Sequence, residues 1–258
     1  MYSAKDLNTH REIALKVMRG SIAKDAAQRA RFEREAKLQA RVSHRNVAAM
    51  FGGGTTADGS PYLALELLRG KSLRDAIRQH KQLGAAKATC ICWQALKGLE
   101  ATHALGIVHR DLKPANLMLE SSPGPVERVV VIDFGFASLR GGGRITATGQ
   151  VVGSLGYLAP ERLGGQENDP RSDLYGIGVI LYELLTGRRP FMAVGGMELV
   201  TEHLEAAVPP IASLGLDLEV SVELEQLIRI ALEKNPANRF ASATIMAYEL
   251  AEIAQTLS

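Results

Sequence analysis

The stretch His109-Arg110-Asp111-Leu112-Lys113-Pro114-Ala115-Asn116 is followed, seventeen positions after Asn116, by a second motif, Asp133-Phe134-Gly135. Apolar residues flank both motifs, since Leu117–Leu119 follows the first and Val129–Ile132 precedes the second. One carboxylate, one cation and two further oxygen donors in this order and spacing are typical of sites that transfer a phosphoryl group from a nucleotide. The order of these residues, their spacing and the apolar flanks agree, so the two motifs indicate one nucleotide-dependent site.

Both motifs resemble those of the eukaryotic-type, or Hanks-type, protein kinase family, in particular its bacterial serine/threonine branch. The resemblance covers nearly the whole chain. It implies an α+β, bilobal protein-kinase fold with a small N-lobe, built from a sheet and a helix, and a larger, mainly helical C-lobe. It also implies that the chain uses ATP and Mg²⁺ to phosphorylate serine or threonine hydroxyls of protein substrates.

Four polar residues of the two motifs carry the chemistry that the resemblance implies. Phosphoryl transfer needs the reactants to be positioned and spreading negative charge to be neutralised. Asp111 would accept the proton of the substrate hydroxyl, and Lys113 would lie beside the transferring phosphate, as in serine/threonine kinases. Asn116 and Asp133 would supply oxygen ligands, which Mg²⁺ prefers. The alternative is a polar hairpin between two short buried strands, and the spacing argues against it.

A second pair of charged residues lies upstream. Ile13–Met18 is rich in β-formers, and the resemblance assigns Lys16 on this strand to the α- and β-phosphates of ATP. The sequence predicts a helix over Arg29–Val42, on which Glu35 lies nineteen residues after Lys16. That is the spacing of the family's ion pair, so Glu35 is the expected partner of Lys16. The alternative is that Glu35 is an ordinary solvated helix carboxylate.

The resemblance also assigns residues to the adenine pocket. The family binds adenine through the backbone of the hinge, which corresponds here to Glu66 and Leu68. Leu65 would lie at the back of the pocket. Ala14 and Met118 complete the expected set of nucleotide-binding residues.

The chain is expected to form one protein kinase domain. Residues 1–65 would form the N-lobe, short of its first strand, with a hairpin turn at Asp58-Gly59; residues 66–70 would form the hinge, and residues 71–258 the C-lobe. Hydrophobic periodicity in the C-lobe predicts helices over Ala85–Ala104, Arg171–Leu185, Met197–Glu205, Glu219–Glu233 and Ser242–Gln255.

Three further residues match scaffold positions of the family. Gly153–Glu161 resembles the end of the substrate-side loop, with Ser154 where a threonine is commoner. The resemblance implies that Glu161 pairs with Arg239 in the interior. It also implies that Asp173, at the start of a helix, anchors the backbone of the catalytic loop.

The glycine-rich phosphate loop of the family is absent from this sequence. Met1 falls where the family has the valine that covers the adenine. A start assigned one motif too late would explain this coincidence; alternatively, the loss is real and nucleotide binding suffers. The second case favours a pseudokinase, a regulatory binding module with little turnover. Gln39 is a smaller departure, because the family usually packs an apolar side chain there.

Composition agrees with this interpretation. The 258 residues are 46% hydrophobic, and a net charge of +2 argues against a nucleic-acid partner. Cys90 and Cys92, two positions apart on a predicted helix, point to different faces, which favours free thiols in a reducing compartment, the cytoplasm. The sequence shows no signal peptide and no apolar run long enough to span a membrane. It leaves the oligomeric state open.

Arg110 directly precedes the expected base. Family members with this arginine often use it to hold a phosphorylated residue of the activation loop, because a phosphate adds negative charge and orders the segment. Thr146 and Thr148 are the available acceptors in this chain. The alternative is that both are solvated loop threonines.

Overall fold

The computed structural model describes residues 1–18, 26–122, 126–134, 155–163, 165, 169–216 and 220–256, with the side chains of those residues except 26–29, 31 and 35. The side chain of Glu35 is therefore outside what the structure describes. Thr146 and Thr148 lie entirely outside the described residues.

The N-lobe contains an antiparallel sheet in the order β1-β2-β4-β3. Its strands are β1 (Tyr2–Lys5), β2 (Glu12–Val17), β3 (Met50–Thr55) and β4 (Pro61–Glu66). Buried and half-buried residues alternate along β4, so one face of this central strand lies on the core. The expected hairpin is confirmed, since the turn at Asp58-Gly59 joins β3 to β4.

One helix, α1 (Ala26–Gln39), packs on this sheet through Phe32 and Ala36. Together with Ala14, Leu63 and Leu65 these side chains form a small apolar core. The burial explains why a helix with weak amphipathicity is stable here, since packing and not propensity fixes it.

The C-lobe combines a small sheet with helices. The antiparallel sheet, in the order β5-β6-β7, is built from β5 (Gly70–Ser72), β6 (Leu117–Glu120) and β7 (Arg128–Val131). The helices are α2 (Leu73–His80), α3 (Ala85–His103), α4 (Pro160–Leu163), α5 (Arg171–Thr186), α6 (Gly196–Glu205), α7 (Val222–Ala231) and α8 (Ala243–Thr256).

Helix α5 is the centre of the C-lobe. Nearly all of its residues are buried, because α3, α7 and α8 pack around it. Gly187 ends the helix in the left-handed conformation, with φ 73°, and its amide bonds the Glu183 carbonyl. Buried on all sides, α5 provides a rigid base for the loops at its N-terminus.

The predicted helices are all present, with shifted ends. Helix α7 begins three residues later than predicted because Ser221 caps it, accepting the Leu224 amide at 3.2 Å. Helix α1 covers Ala26–Gln39, where the sequence predicts Arg29–Val42. Hydrophobic periodicity locates a helix, whereas capping decides its first and last residues.

The two lobes are joined by backbone bonds beside the hinge. Asn46 accepts from the Val131 amide at 2.9 Å, and the Ala48 amide donates to the Val131 carbonyl at 3.0 Å. The Asn46 side chain adds a 2.7 Å bond to the Val129 carbonyl. The segment before β3 is thus an extension of the C-lobe sheet.

Both cysteines, Cys90 and Cys92, are free thiols, as expected. Within the described ranges, no helix has both the length and the apolar character needed to cross a bilayer.

His203 on α6 is a buried titratable group. Its Nδ1 lies 2.8 Å from the Tyr175 hydroxyl, and its Nε2 has no hydrogen-bond partner among the described residues. Burial, together with the positive charges of Lys234 and Arg189, lowers the pKa of His203 to about 4. In the protonated ring both nitrogens carry a proton, and the proton on Nε2 would be a buried donor without an acceptor among the described residues.

We predict that His203 makes the domain acid-sensitive. The pKa of His203 in the folded domain lies below the usual 6.5. The free energy of unfolding therefore has its full value above pH 6.5 and decreases as the pH falls towards 4, because the unfolded chain binds the proton first. Between pH 7.5 and 4.5 the loss due to this group is about 2 kcal/mol. In His203→Asn, whose amide can still bond Tyr175, urea unfolding should show a correspondingly smaller loss between these pH values. The exposed control His80→Asn should behave as the wild type; identical pH slopes for both variants would contradict the prediction.

Candidate active site

The catalytic-loop backbone is held by one buried carboxylate. Asp173, at the start of α5, accepts the His109 amide at 2.8 Å and the Arg110 amide at 2.9 Å. The His103 Nε2 atom lies 2.8 Å from the same carboxylate. Burial would raise the pKa of Asp173, but the hydrogen bond and charge of His103, with the bonds from His109, outweigh burial and lower it. The expected anchoring role of Asp173 agrees with this geometry.

His109 connects the two motifs. Its side chain is fully buried, its Nε2 lies 2.9 Å from the Ile132 carbonyl, and its ring packs on Phe134 at 4.8 Å between centroids. His109 and Phe134 are therefore packing residues that fix the distance between the loop and the strand leading to Asp133.

Asp111 lies beside a cation at the cleft. Its Oδ2 is 2.5 Å from the Lys113 Nζ, and its side chain is 29% exposed, so solvent and a substrate can reach it. The Asp111 carbonyl accepts the Asn116 Nδ2 at 2.8 Å. Because the nitrogen of Asn116 is used in this way, its side-chain oxygen is the atom left to bind a cation.

Asp133 faces the N-lobe. Its Oδ1 lies 2.5 Å from the Nζ of Lys16 on β2, and the Lys16 side chain is largely buried. The φ angle of Asp133 is 64°, in a region that non-glycine residues rarely adopt, and Arg110 has a φ of 69°. Strained backbone of this kind clusters at functional sites.

Glu35 lies on α1, as the sequence predicts, but its side chain is outside the described residues. Its pairing with Lys16 therefore stays a prediction. Gln39, four residues further along α1, is buried, and its Oε1 has no hydrogen-bond partner in the described part of the chain.

The residues assigned to the adenine pocket lie on both lobes. Ala14 and Leu65 are direct partners in the ladder between β2 and β4, and both are buried. Glu66 ends β4, and Leu68 lies in the connection to β5. Met118 lies on β6, opposite Ser72 of β5. Gly70, the last residue of the predicted hinge, already belongs to the C-lobe sheet.

The inferred pair of Glu161 and Arg239 is confirmed. Two parallel bonds of 2.7 and 2.8 Å join the guanidinium to the carboxylate, and the two side chains are 5% or less exposed. Burial would raise the pKa of Glu161, but the bonds from Arg239 and Ser172 outweigh it and lower the pKa. The guanidinium also stacks over the Tyr175 ring at 4.9 Å.

Sequence reasoning missed Arg128. This residue at the start of β7 binds the hinge residue Glu66 and Glu120 of β6. The sequence signal for Arg128 is weak, because ordinary strands also often have a single charged residue just before their apolar residues.

A sequence model described as the protein kinase domain matches residues 1–250. The chain therefore belongs to the protein kinase family. It is 37% identical over 254 residues to the serine/threonine-protein kinase pkn3 of Myxococcus xanthus and 34% identical over 258 residues to the serine/threonine-protein kinase PknB of Mycobacterium leprae. The matches cover 97% and 98% of this chain but only 46% and 40% of those proteins, so the chain spans less than half of their length.

A solved structure supports the same fold. A mutant form of the kinase domain of Mycobacterium tuberculosis PknI matches with a TM-score of 0.74 and 25% sequence identity. The match covers 98% of this chain and 89% of that one. The expected bilobal α+β fold is thus confirmed.

We predict that breaking the Glu161–Arg239 pair from one side is strongly destabilising. Arg239→Met leaves Glu161 buried without its cation, which should lower the free energy of unfolding by about 3–5 kcal/mol. The double variant Glu161→Gln/Arg239→Met should recover part of this loss. Arg229→Met, which breaks a more exposed pair with Glu225 on α7, should cost below about 1 kcal/mol. Equal losses for Arg239→Met and Arg229→Met in urea unfolding at pH 7 would rule out the prediction.

Proposed function

We propose that this domain is an ATP-dependent protein serine/threonine kinase. The observation that carries the proposal is the adjacency of Asp111 and Lys113, with Asn116 bonded to the Asp111 backbone and Asp133 opposite Lys16. A carboxylate base, cations and oxygen ligands around one cleft are what phosphoryl transfer requires. The two relatives named above are both called serine/threonine-protein kinases, which agrees with this assignment.

Asp111 orients the acceptor in this mechanism. Its carboxylate accepts the proton of a serine or threonine hydroxyl while the hydroxyl oxygen bonds to the γ-phosphorus and the bond to ADP breaks. Lys113 lies against Asp111 and offers its positive charge to the transferring phosphoryl group. Lys16 holds the α- and β-phosphates, with Glu35 as its expected partner.

Asn116 and Asp133 fit Mg²⁺. An amide oxygen and a carboxylate are hard donors, and Mg²⁺ commonly takes only one or two protein ligands, leaving its other positions to water and phosphate oxygens. Bound Mg²⁺ would neutralise charge on the phosphates. In the structure the Lys16 ammonium lies beside Asp133 and balances the negative charge of its carboxylate, as a bound cation would.

Adenine would lie between the lobes, against Ala14, Leu65 and Met118, with backbone bonds to Glu66 and Leu68. The protein partners are substrates with serine or threonine acceptors. We place the reaction in the cytoplasm, a compartment that suits the free thiols of Cys90 and Cys92. The regulatory role of Arg110 with Thr146 or Thr148 stays a prediction.

We predict that Asp111→Asn lowers phosphate transfer by about a hundredfold or more, since general base catalysis contributes on this scale. The measurement is transfer of labelled γ-phosphate from Mg-ATP to casein, with identification of the modified amino acids. Label should appear on serine or threonine and not on tyrosine. Asp58→Asn, in the β3–β4 turn, is the matched control and should keep wild-type turnover. Near-normal turnover of a folded Asp111→Asn variant would remove Asp111 from the mechanism.

We predict that Asp133→Asn removes the metal dependence of nucleotide binding. In the wild type, calorimetric affinity for ATP should be higher with Mg²⁺ than with a chelator, because Asp133 shares the metal with the phosphates. In Asp133→Asn the two affinities should be nearly equal, whereas Asp58→Asn should keep the difference. A full Mg²⁺ effect in Asp133→Asn would show that the carboxylate is not a ligand.

A further inference from the structure

Arg128 binds three chain segments at once. Its Nη1 donates to Glu66 Oε1 at 2.7 Å and to Glu120 Oε2 at 2.9 Å, and its Nε donates to the Arg45 carbonyl at 2.7 Å. We call Arg128, Glu66 and Glu120 the hinge clamp. It connects the end of β4, the β6–β7 hairpin and the segment before β3.

The three charged side chains of the hinge clamp stabilise one another's charged forms. The three side chains are only 20–24% exposed, so solvent screens them poorly. Burial alone would lower the pKa of Arg128, but the bonds and charges of Glu66 and Glu120 outweigh burial and raise it. Without the guanidinium, the two carboxylates that now share Nη1 would face each other and repel.

The hinge clamp holds the hinge at both ends. At the first hinge residue, the Glu66 carboxylate accepts the Ala49 amide at 3.1 Å, and the Glu66 amide donates to the Ala49 carbonyl at 2.8 Å. Near the other end of the hinge, Glu120 Oε1 accepts the Arg69 amide at 2.9 Å. Only Leu67 and Leu68 lie between these fixed points, and two residues leave the backbone little freedom.

The next residue adds a steric limit. A Cβ at Gly70 would lie 2.0 Å from the Leu119 carbonyl oxygen, so the chain after the hinge runs in close contact with β6. Gly70 also pairs with Glu120 in the ladder between β5 and β6, so the sheet holds the chain against β6 at this point.

We infer that Arg128 is a positioning residue for the nucleotide: through Glu66 and Glu120 it fixes the hinge backbone that receives adenine. This inference rests on the proposed function. The described hydrogen bonds of Arg128 go to Glu66, Glu120 and the Arg45 carbonyl, and Arg128 is not among the residues assigned to the nucleotide or the acceptor hydroxyl. Its loss should weaken adenine binding and leave the chemistry at Asp111 unchanged, which separates it from a residue that merely supports the fold.

The first test is a kinetic comparison. Arg128→Gln should raise the KM for ATP about five- to tenfold, less than the full loss of a charged hydrogen bond, because Arg128 acts on adenine only through the hinge. The kcat and the KM for casein should change less than about twofold. Arg128→Lys should be intermediate, because an ammonium cannot span both carboxylates as the guanidinium does. Arg229→Gln, which breaks an Arg–Glu pair on α7, is the matched control and should leave all three constants unchanged.

A binding experiment identifies the affected part of the nucleotide. By calorimetry, Arg128→Gln should lose affinity for adenosine but keep its affinity for Mg-tripolyphosphate. Should Arg128→Gln fail to fold by circular dichroism, Glu120→Ala provides the test, since it frees the Arg69 amide and removes one bond of Arg128 but keeps the Arg128–Glu66 pair. It too should weaken adenosine binding without lowering kcat.

The outcomes separate this inference from the proposed function. A wild type that binds no Mg-ATP and transfers no phosphate would overturn the proposed function. A wild type that does both, with unchanged adenosine affinity in the folded Arg128 or Glu120 variant, would overturn the inference alone. A lower kcat with an unchanged KM for ATP would also overturn it.

Discussion

The buried carboxylate of Asp173 is the interaction on which the rest of the site depends. A carboxylate in the interior costs free energy unless hydrogen bonds compensate it, and here the His109 and Arg110 amides and the His103 ring do so. Because Asp173 lies on α5, nearly all of whose residues are buried, the catalytic loop is fixed to the helix at the centre of the C-lobe core. The positive φ of Arg110 is held by these bonds.

From this anchor a continuous series of contacts leads to the other lobe. His109 packs on Phe134 and bonds the Ile132 carbonyl, which sets the position of Asp133. Asp133 in turn reaches Lys16 on β2. The geometry of the cleft is thus determined by the C-lobe core. Among the described residues, the N-lobe sheet is connected to this core by the Lys16–Asp133 and Glu66–Arg128 ion pairs, the backbone bonds before β3 and the hinge.

The sequence predicted the structural features that are local or that belong to short motifs of the family. The helices follow from periodicity, and the bond pattern of Asp173 and the Glu161–Arg239 pair follow from the family resemblance. The binding of Glu66 by Arg128 could not be predicted, because no motif used in the sequence comparison links these two residues and neither charge is unusual where it stands. Only the packing of the β6–β7 hairpin against the hinge brings them together.

The left-handed backbone at Asp133 has a consequence for how this domain can be engineered or evolve. Glycine would relieve the conformational strain at this position. Asp133→Gly would also remove the carboxylate beside the largely buried Lys16 ammonium, which costs free energy of folding for the same reason as breaking the Glu161–Arg239 pair from one side. The two effects oppose each other, so the strained backbone is retained because the side chain that it carries is needed for the ion pair between the lobes.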